Sequence, residues 1–210
     1  MSEFIDPNSG IIVIDPGHGG IDGGTTRQGI LEKDINLDIS QKLKVYLEQM
    51  GYKVVMTREN DMSLENLSGK DGTRHQKDLN ARVDIINSNN AQLFLSIHGN
   101  CHVKNLNADG SLVFFNNRFQ QNKTLAYCVQ RALNNIIVDG KKRTIHDPVE
   151  GNYFLLNNAK IPGAIVETGF LTNEAELRYL MRDSFRDQIA IAIAQGVYKY
   201  LVEQKRVDYD

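Results

Sequence analysis

The chain has 210 residues and 41% hydrophobic content, enough to bury one full core, and its 24 Lys+Arg against 26 Asp+Glu leave a formal net charge of −2. That balance excludes the global basic field with which proteins attract nucleic acid or an anionic membrane. No run approaches the roughly 18 consecutive apolar residues of a membrane span. Two cysteines, Cys101 and Cys128, are too few for a disulfide scaffold and match no paired-cysteine zinc spacing; they read as free thiols or as one bridge.

Residues 1–10 have no basic flank followed by an apolar core, so no signal peptide is visible. They are expected to be a leader remnant or a cloning-derived tail, with one domain over 11–204 and a closing tail over 205–210. Ile11-Ile12-Val13-Ile14 is an unbroken β-branched run, the pattern of a strand buried on both faces in a parallel sheet. Asp15-Pro16 is expected to stop it, and Gly17, Gly19 and Gly20 leave the backbone free to turn around His18. An imidazole just past a central strand end stands where open α/β sheets place their ligands.

The glycine-rich segment 20–29 carries Asp22 and Arg27 but neither phosphate-binding fingerprint, so a phosphate loop is rejected. Glu32 and Asp34 open a helix to Met50 with Ile35, Ile39, Leu43, Tyr46 and Leu47 on one face, and Gly51 stops it. Asp34 suits the helix dipole, whereas Glu32, at the very start, can point back at His18. Residues 52–57 form a strand. Arg58–Lys77 is expected to be a long polar loop rimming a site, with His75 solvated. A helix follows over 78–90.

Leu93-Phe94-Leu95-Ser96-Ile97-His98-Gly99 repeats the opening logic: an apolar strand delivers a second imidazole before a glycine. His102 lies four residues beyond His98, a zinc spacing for one helix face that the strand-like residues before it disfavour, and Cys101 is a softer alternative ligand. A strand is expected over 111–115 and a helix over 119–137, with Cys128 as a small core residue. The basic stretch 139–148, with Lys141, Lys142, Arg143 and His146, reads as a solvated face, and His146 as a residue that could touch substrate. The last strands are expected at 153–156 and 163–166. The second runs into Glu167, a carboxylate costly to bury without a cation or hydrogen bonds; a structural salt bridge is the plainer account. Helices over 173–181 and 183–203 complete an α/β single-domain three-layer fold, a central mostly parallel twisted sheet with helices on both faces.

His18, Glu32, His98 and Glu167 each fall at a strand end or a helix start, so strands converging on one crevice can gather them. Two imidazoles and one carboxylate suit a catalytic zinc site with an open fourth position, where water is acidified to a pKa of about 7. The other glutamate then serves as general base. Two carboxylates alone would suit glycoside hydrolysis, but that leaves both histidines unexplained.

The segments Asp15-Pro16-Gly17-His18-Gly19-Gly20, Leu31-Glu32-Lys33-Asp34, Leu79-Asn80-Ala81-Arg82, Ser96-Ile97-His98-Gly99-Asn100 and Val166-Glu167-Thr168-Gly169-Phe170-Leu171-Thr172-Asn173 resemble, in order, those of the zinc-dependent N-acetylmuramoyl-L-alanine amidases of bacterial cell walls. The resemblance spans residues 11 to 202. It implies one Zn2+ per chain, held by His18, Glu32 and His98, and Glu167 as the catalytic glutamate. It further implies cleavage of the amide between the lactyl group of N-acetylmuramic acid and L-alanine, on a peptidoglycan glycan strand with its stem peptide. The insert around Arg58–Lys77 and the lack of wall-binding repeats look most like the spore-cortex members, which act before a deacetylase in making muramic-δ-lactam. An extracytoplasmic location follows, in the cell wall or the forespore intermembrane space. Three protein ligands leave room for an accessory sporulation protein in zinc loading. Gly99-Asn100-Cys101-His102 departs from the small residues usual there. The competing readings are a zinc deacetylase or peptidase on another wall fragment, and a non-catalytic wall-binding protein of the same fold.

Overall fold

The computed structural model describes residues 10–207. The expected leader, except Gly10, and the last three residues of the expected tail therefore lie outside the described residues. The β-branched run becomes β1 (Ile11–Pro16), followed by a small hairpin of β2 (Thr26–Arg27) and β3 (Ile30–Leu31) that leads into α1 (Glu32–Gln49). Next come β4 (Lys53–Met56), a 3-10 turn (Glu65–Leu67), α2 (Arg74–Ser88), β5 (Leu93–Asn100), β6 (Leu112–Phe115) and α3 (Gln120–Leu133). The chain continues through β7 (Ile137–Val138), β8 (Lys141–Lys142), β9 (Val149–Glu150), α4 (Phe154–Asn158), β10 (Gly163–Phe170), α5 (Glu174–Leu180) and α6 (Asp183–Val207).

The central sheet has six strands in the order β4-β1-β5-β10-β6-β9. Its first four strands run parallel, and β6 pairs antiparallel with β10. Because strand side chains alternate between faces, the two faces feed two cores. Ile12, Ile14, Leu93, Leu95, Ile97, Ala164 and Val166 pack toward α1, α3 and α6. Val13, Phe94 and Ile165 pack instead with Val83 and Ile86 of α2 and Leu155 and Leu156 of α4. Every core position on β1 and β5 is thus buried, which is why these strands read as continuous apolar runs. The three-layer, mostly parallel α/β architecture is as expected.

Several local expectations need correction. Residues 58–77 are not one loop: a 3-10 turn interrupts them and α2 begins at Arg74, not at 78. Thr73 caps that helix, accepting from the Gln76 amide while the Gln76 side chain accepts from the Thr73 amide; this capping box satisfies otherwise orphaned donors. Its first turn is polar and exposed, so apolar periodicity could not reveal it. Residues 153–156 are not a strand. Phe154–Asn158 is a short helix whose Leu155 and Leu156 are buried against α2, and the strand there is β9, two residues long. The helix expected to 137 ends at Leu133, and Ile137–Val138 pairs with Lys141–Lys142. Strand β1 does not stop before Asp15 but includes both Asp15 and Pro16.

Candidate active site

Strands β1, β5 and β10 are parallel neighbours, so their carboxyl ends share one edge of the sheet. Asp15 stands beside Ser96, and Glu167 beside His98. By alternation Asp15, Ser96, His98 and Glu167 all project to the face covered by α2 and α4, beyond the apolar layer of Val13, Phe94 and Ile165. Gly17 continues the ladder, its N–H donating to the Ile97 carbonyl at 2.9 Å. His18 follows with φ 61°, a left-handed conformation uncommon for a non-glycine residue. The β2–β3 hairpin then turns the chain back, so that Glu32 opens α1 directly against the histidines.

Three side chains meet at this edge. His18 Nε2 lies 3.1 Å, and His98 Nδ1 3.2 Å, from the same Glu32 oxygen, Oε1. One ligand atom from each of the three lies within 4.8 Å of the others, the one such metal-competent grouping among the described residues. The two rings stand edge to face, 5.0 Å between centroids. Glu32 is 3% exposed and held from several sides: the Thr25 and Gly99 amides donate to its two oxygens at 2.8 and 3.1 Å, and Asn36 Nδ2 approaches at 3.3 Å. Asp22 Oδ2 sits 2.9 Å from His18 Nδ1, leaving Nε2 directed at Glu32. A carboxylate on the far nitrogen of this kind fixes the tautomer and ring orientation of a ligating histidine.

The electrostatics suit a bound cation. Burial by itself would raise the Glu32 carboxyl, yet its bonds to His18 and His98 prevail and hold it far below the usual carboxylate range. Burial would likewise lower His18, but hydrogen bonds and charge from Glu32 and Asp22 push it up to about 9. Two carboxylates thus favour positive charge at the His18 imidazole, an environment that also suits a divalent cation. Nitrogen and carboxylate donors in a two-to-one set suit a borderline ion such as zinc better than calcium or magnesium.

Glu167 adjoins this cluster without belonging to it. Burial raises its carboxyl to about 7 against the lowering influence of His98. Its Oε2 is buried with no hydrogen-bond partner, and no ion pair holds it among the described residues, so the salt-bridge account fails. The backbone around it is clamped. Thr168 Oγ1 donates to the His98 carbonyl at 3.0 Å, and the Thr168 carbonyl accepts from Ser111 Oγ and Arg143 Nη2. Arg143 in turn pairs with buried Glu176, Nε to Oε1 at 3.1 Å. Arg143 is thus not on the solvated face expected for the 139–148 stretch; it is a buried strut behind the irregular end of β10.

A cavity of about 230 Å³ opens onto His18 and His98, walled by Leu79, Tyr153, Phe154 and Leu155, with His75 at its border. His75 is exposed in the first turn of α2, in keeping with its expected solvation. His102 and Cys101 are exposed and stay outside the cluster; His102 Nδ1 accepts from the Asn105 amide instead. His146 does not reach the cavity: its Nε2 meets the Asp109 carbonyl at 2.8 Å, beside a separate hollow on α3 and α6. The two cysteines are free, Cys101 exposed and Cys128 buried. Sequence reasoning missed Asn36, Arg58 and Tyr153 as site components. Asn36 had a signal, lying one helical turn after Glu32; the others are placed by tertiary contacts alone.

Comparison with known proteins places the chain in a family. Residues 12–199 match the family model described as N-acetylmuramoyl-L-alanine amidase. The germination-specific N-acetylmuramoyl-L-alanine amidase of Bacillus subtilis is 35% identical over 202 residues, covering 94% of this chain and 83% of that protein. The CwlD amidase from Clostridioides difficile, solved in complex with the GerS lipoprotein, superposes with TM-score 0.81 at 36% identity over 92% of this chain and 98% of that one. An N-acetylmuramoyl-L-alanine amidase from Clostridium difficile 630 gives TM-score 0.79 at 30% identity, over 92% and 97% of the two chains. With a family match over 12–199, and with its fold and nearly its whole length in common with these proteins, this chain belongs to the N-acetylmuramoyl-L-alanine amidase family, the amidases of peptidoglycan.

Proposed function

We propose that the protein is a zinc-dependent amidase. It hydrolyses the bond between the lactyl carbonyl of N-acetylmuramic acid and the L-alanine nitrogen, with His18, Glu32 and His98 as ligands of one Zn2+ and Glu167 as the proton carrier. The observation that carries this reading is the convergence of three donor atoms within 4.8 Å, with Glu167 in register beside His98. Zinc, when bound, supplies a Lewis acid that polarises the scissile carbonyl and acidifies water. The chain's own residues do the rest. Asp22 and the amides on Glu32 hold the ligands in place. Glu167 takes a proton from the attacking water and passes it to the departing nitrogen, so that carboxylate and free amine leave as products. The apolar wall of Leu79, Tyr153 and Phe154 limits water at the reacting bond, where a drier site strengthens each of these interactions.

The germination-specific amidase among the relatives supports a role in the spore; within it, we place the enzyme in the cortex, in muramic-δ-lactam formation, at an extracytoplasmic place in the cell wall or forespore intermembrane space. A complex of a similar amidase with a lipoprotein supports an accessory sporulation partner here. Incubation with purified sacculi is expected to release stem peptides with free L-alanine amino termini and leave intact lactyl carboxylates on the glycan. Release of acetate with the stem peptide still attached would instead establish a deacetylase and overturn the assignment.

Gly17 provides a second check. A Cβ on this residue would overlap the His98 imidazole, which cannot yield without leaving Glu32. Ligand geometry must hold to about 0.5 Å, so Gly17→Ala is expected to weaken zinc binding at least about tenfold. An unchanged affinity, measured by competition with a chelator, would mean that His98 is not a ligand.

A further inference from the structure

Arg58 follows β4 and is 2% exposed, yet no carboxylate is within ion-pair distance of it among the described residues. Of the three acids whose charge reaches it, Asp15 and Asp61 are themselves paired with Arg82 and Lys33, each at 2.7 Å, and Asp34 is exposed and forms no ion pair with it. Buried charges are ordinarily paired with opposite charges, so this guanidinium needs another account. All its hydrogen bonds go to backbone carbonyls: Nε to Pro16 at 2.9 Å, Nη1 to Asn60 at 3.1 Å, and Nη2 to both Gly17 and Lys33 at 2.9 Å. Gly17 immediately precedes His18, and Lys33 immediately follows Glu32. A single nitrogen therefore joins the residue before one candidate ligand to the residue after another. The third is joined through the same residue, since the Gly17 amide donates to Ile97, which precedes His98.

Arg82 completes the frame from the other side. Its Nη1 donates to Asp15 Oδ1 and the Pro16 carbonyl, and its Nη2 to the His18 carbonyl at 2.6 Å. Three successive carbonyls, Pro16, Gly17 and His18, are thus held by two guanidiniums. The left-handed conformation of His18 is one that persists only where its surroundings over-determine it. A planar fork of fixed donors is suited to this, whereas an ammonium at the end of a flexible stem is not.

We propose that Arg58 is a positioning residue of the metal centre: it sets the separation of His18 and Glu32 and thereby the affinity of the site for its ion. This rests on the reading of His18, Glu32 and His98 as zinc ligands. The test is the Zn2+ affinity of the folded full chain, by chelator competition, for wild type and Arg58→Lys, which keeps the charge but replaces the fixed planar fork, with its four carbonyl bonds, by three donors on a flexible stem. The variant is expected to bind zinc about 10–100-fold more weakly, and excess zinc is expected to restore its kcat. Both readouts differ from those of a residue that merely stabilises the fold, whose loss would lower the melting temperature of the metal-free protein and leave zinc affinity unchanged. Equal affinities in wild type and variant would overturn this proposal alone; wild-type protein that takes up no zinc would overturn the metal reading and this proposal with it. Should Arg58→Lys fail to fold, Arg58→Gln, which buries no charge and keeps an amide donor, replaces it under the same criterion. Failure of both to fold would overturn the proposal, since the fold itself would then require Arg58.

Discussion

Glu167→Gln is expected to retain its zinc and lose turnover by more than about a hundredfold, the scale of a general-base contribution. Two features of the site predict this split. Glu167 lies outside the His18–Glu32–His98 grouping, so the ligand set survives the substitution. Its buried Oε2 engages no partner among the described residues, so the amide replaces a carboxylate without breaking a salt bridge, and the fold should tolerate it. An amide cannot accept and return the proton. Metal content by elemental analysis and kcat on muropeptide substrate check the two halves separately. Turnover within a few-fold of wild type would remove Glu167 from the mechanism. A variant that lost both zinc and activity would make Glu167 part of the ligand set.

Removing the metal should be at least as damaging. A bound ion that polarises a carbonyl contributes several kcal/mol of transition-state stabilisation, and each 1.4 kcal/mol is about tenfold in rate. Chelation is thus expected to lower turnover by at least about a hundredfold, with recovery on adding back zinc. His18→Ala leaves two ligands and should abolish stoichiometric uptake. Stability should follow: zinc at about a hundred times its Kd stabilises the folded chain by about 2.7 kcal/mol. At a few degrees per kcal/mol for a domain of this size, the melting temperature should fall by roughly 5–10 °C when the ion is stripped. Activity that survives complete metal loss would overturn the zinc mechanism. A protein that neither binds zinc nor turns over substrate would fit the wall-binding reading instead.

What could be read along the chain was whatever depends on local pattern. The apolar runs of β1 and β5 announced buried parallel strands, because a strand covered on both faces has no polar positions to spare. His18, His98 and Glu167 were legible because each follows such a run at the edge where parallel strands end together, and the amidase resemblance rested on the same motifs. Short elements were not legible. Tyr153-Phe154-Leu155-Leu156 is apolar enough for either strand or helix, and only burial of Leu155 and Leu156 against α2 settles on helix.

Apart from Asn36, the supporting shell was out of reach of the chain order. Arg143 stands in a basic, turn-rich stretch and looks solvated until Glu176, 33 residues later in the sequence, is seen to meet it. Arg58 looks like the first residue of a polar loop, yet it hydrogen-bonds carbonyls at Gly17 and Lys33. Local sequence constrains backbone conformation and hydrophobic period, and these sufficed for the layers and for picking out the side chains that the sheet edge brings together. Which buried cation meets which distant carbonyl depends on how three layers close over one another. That packing decides how rigidly the four candidate groups are held.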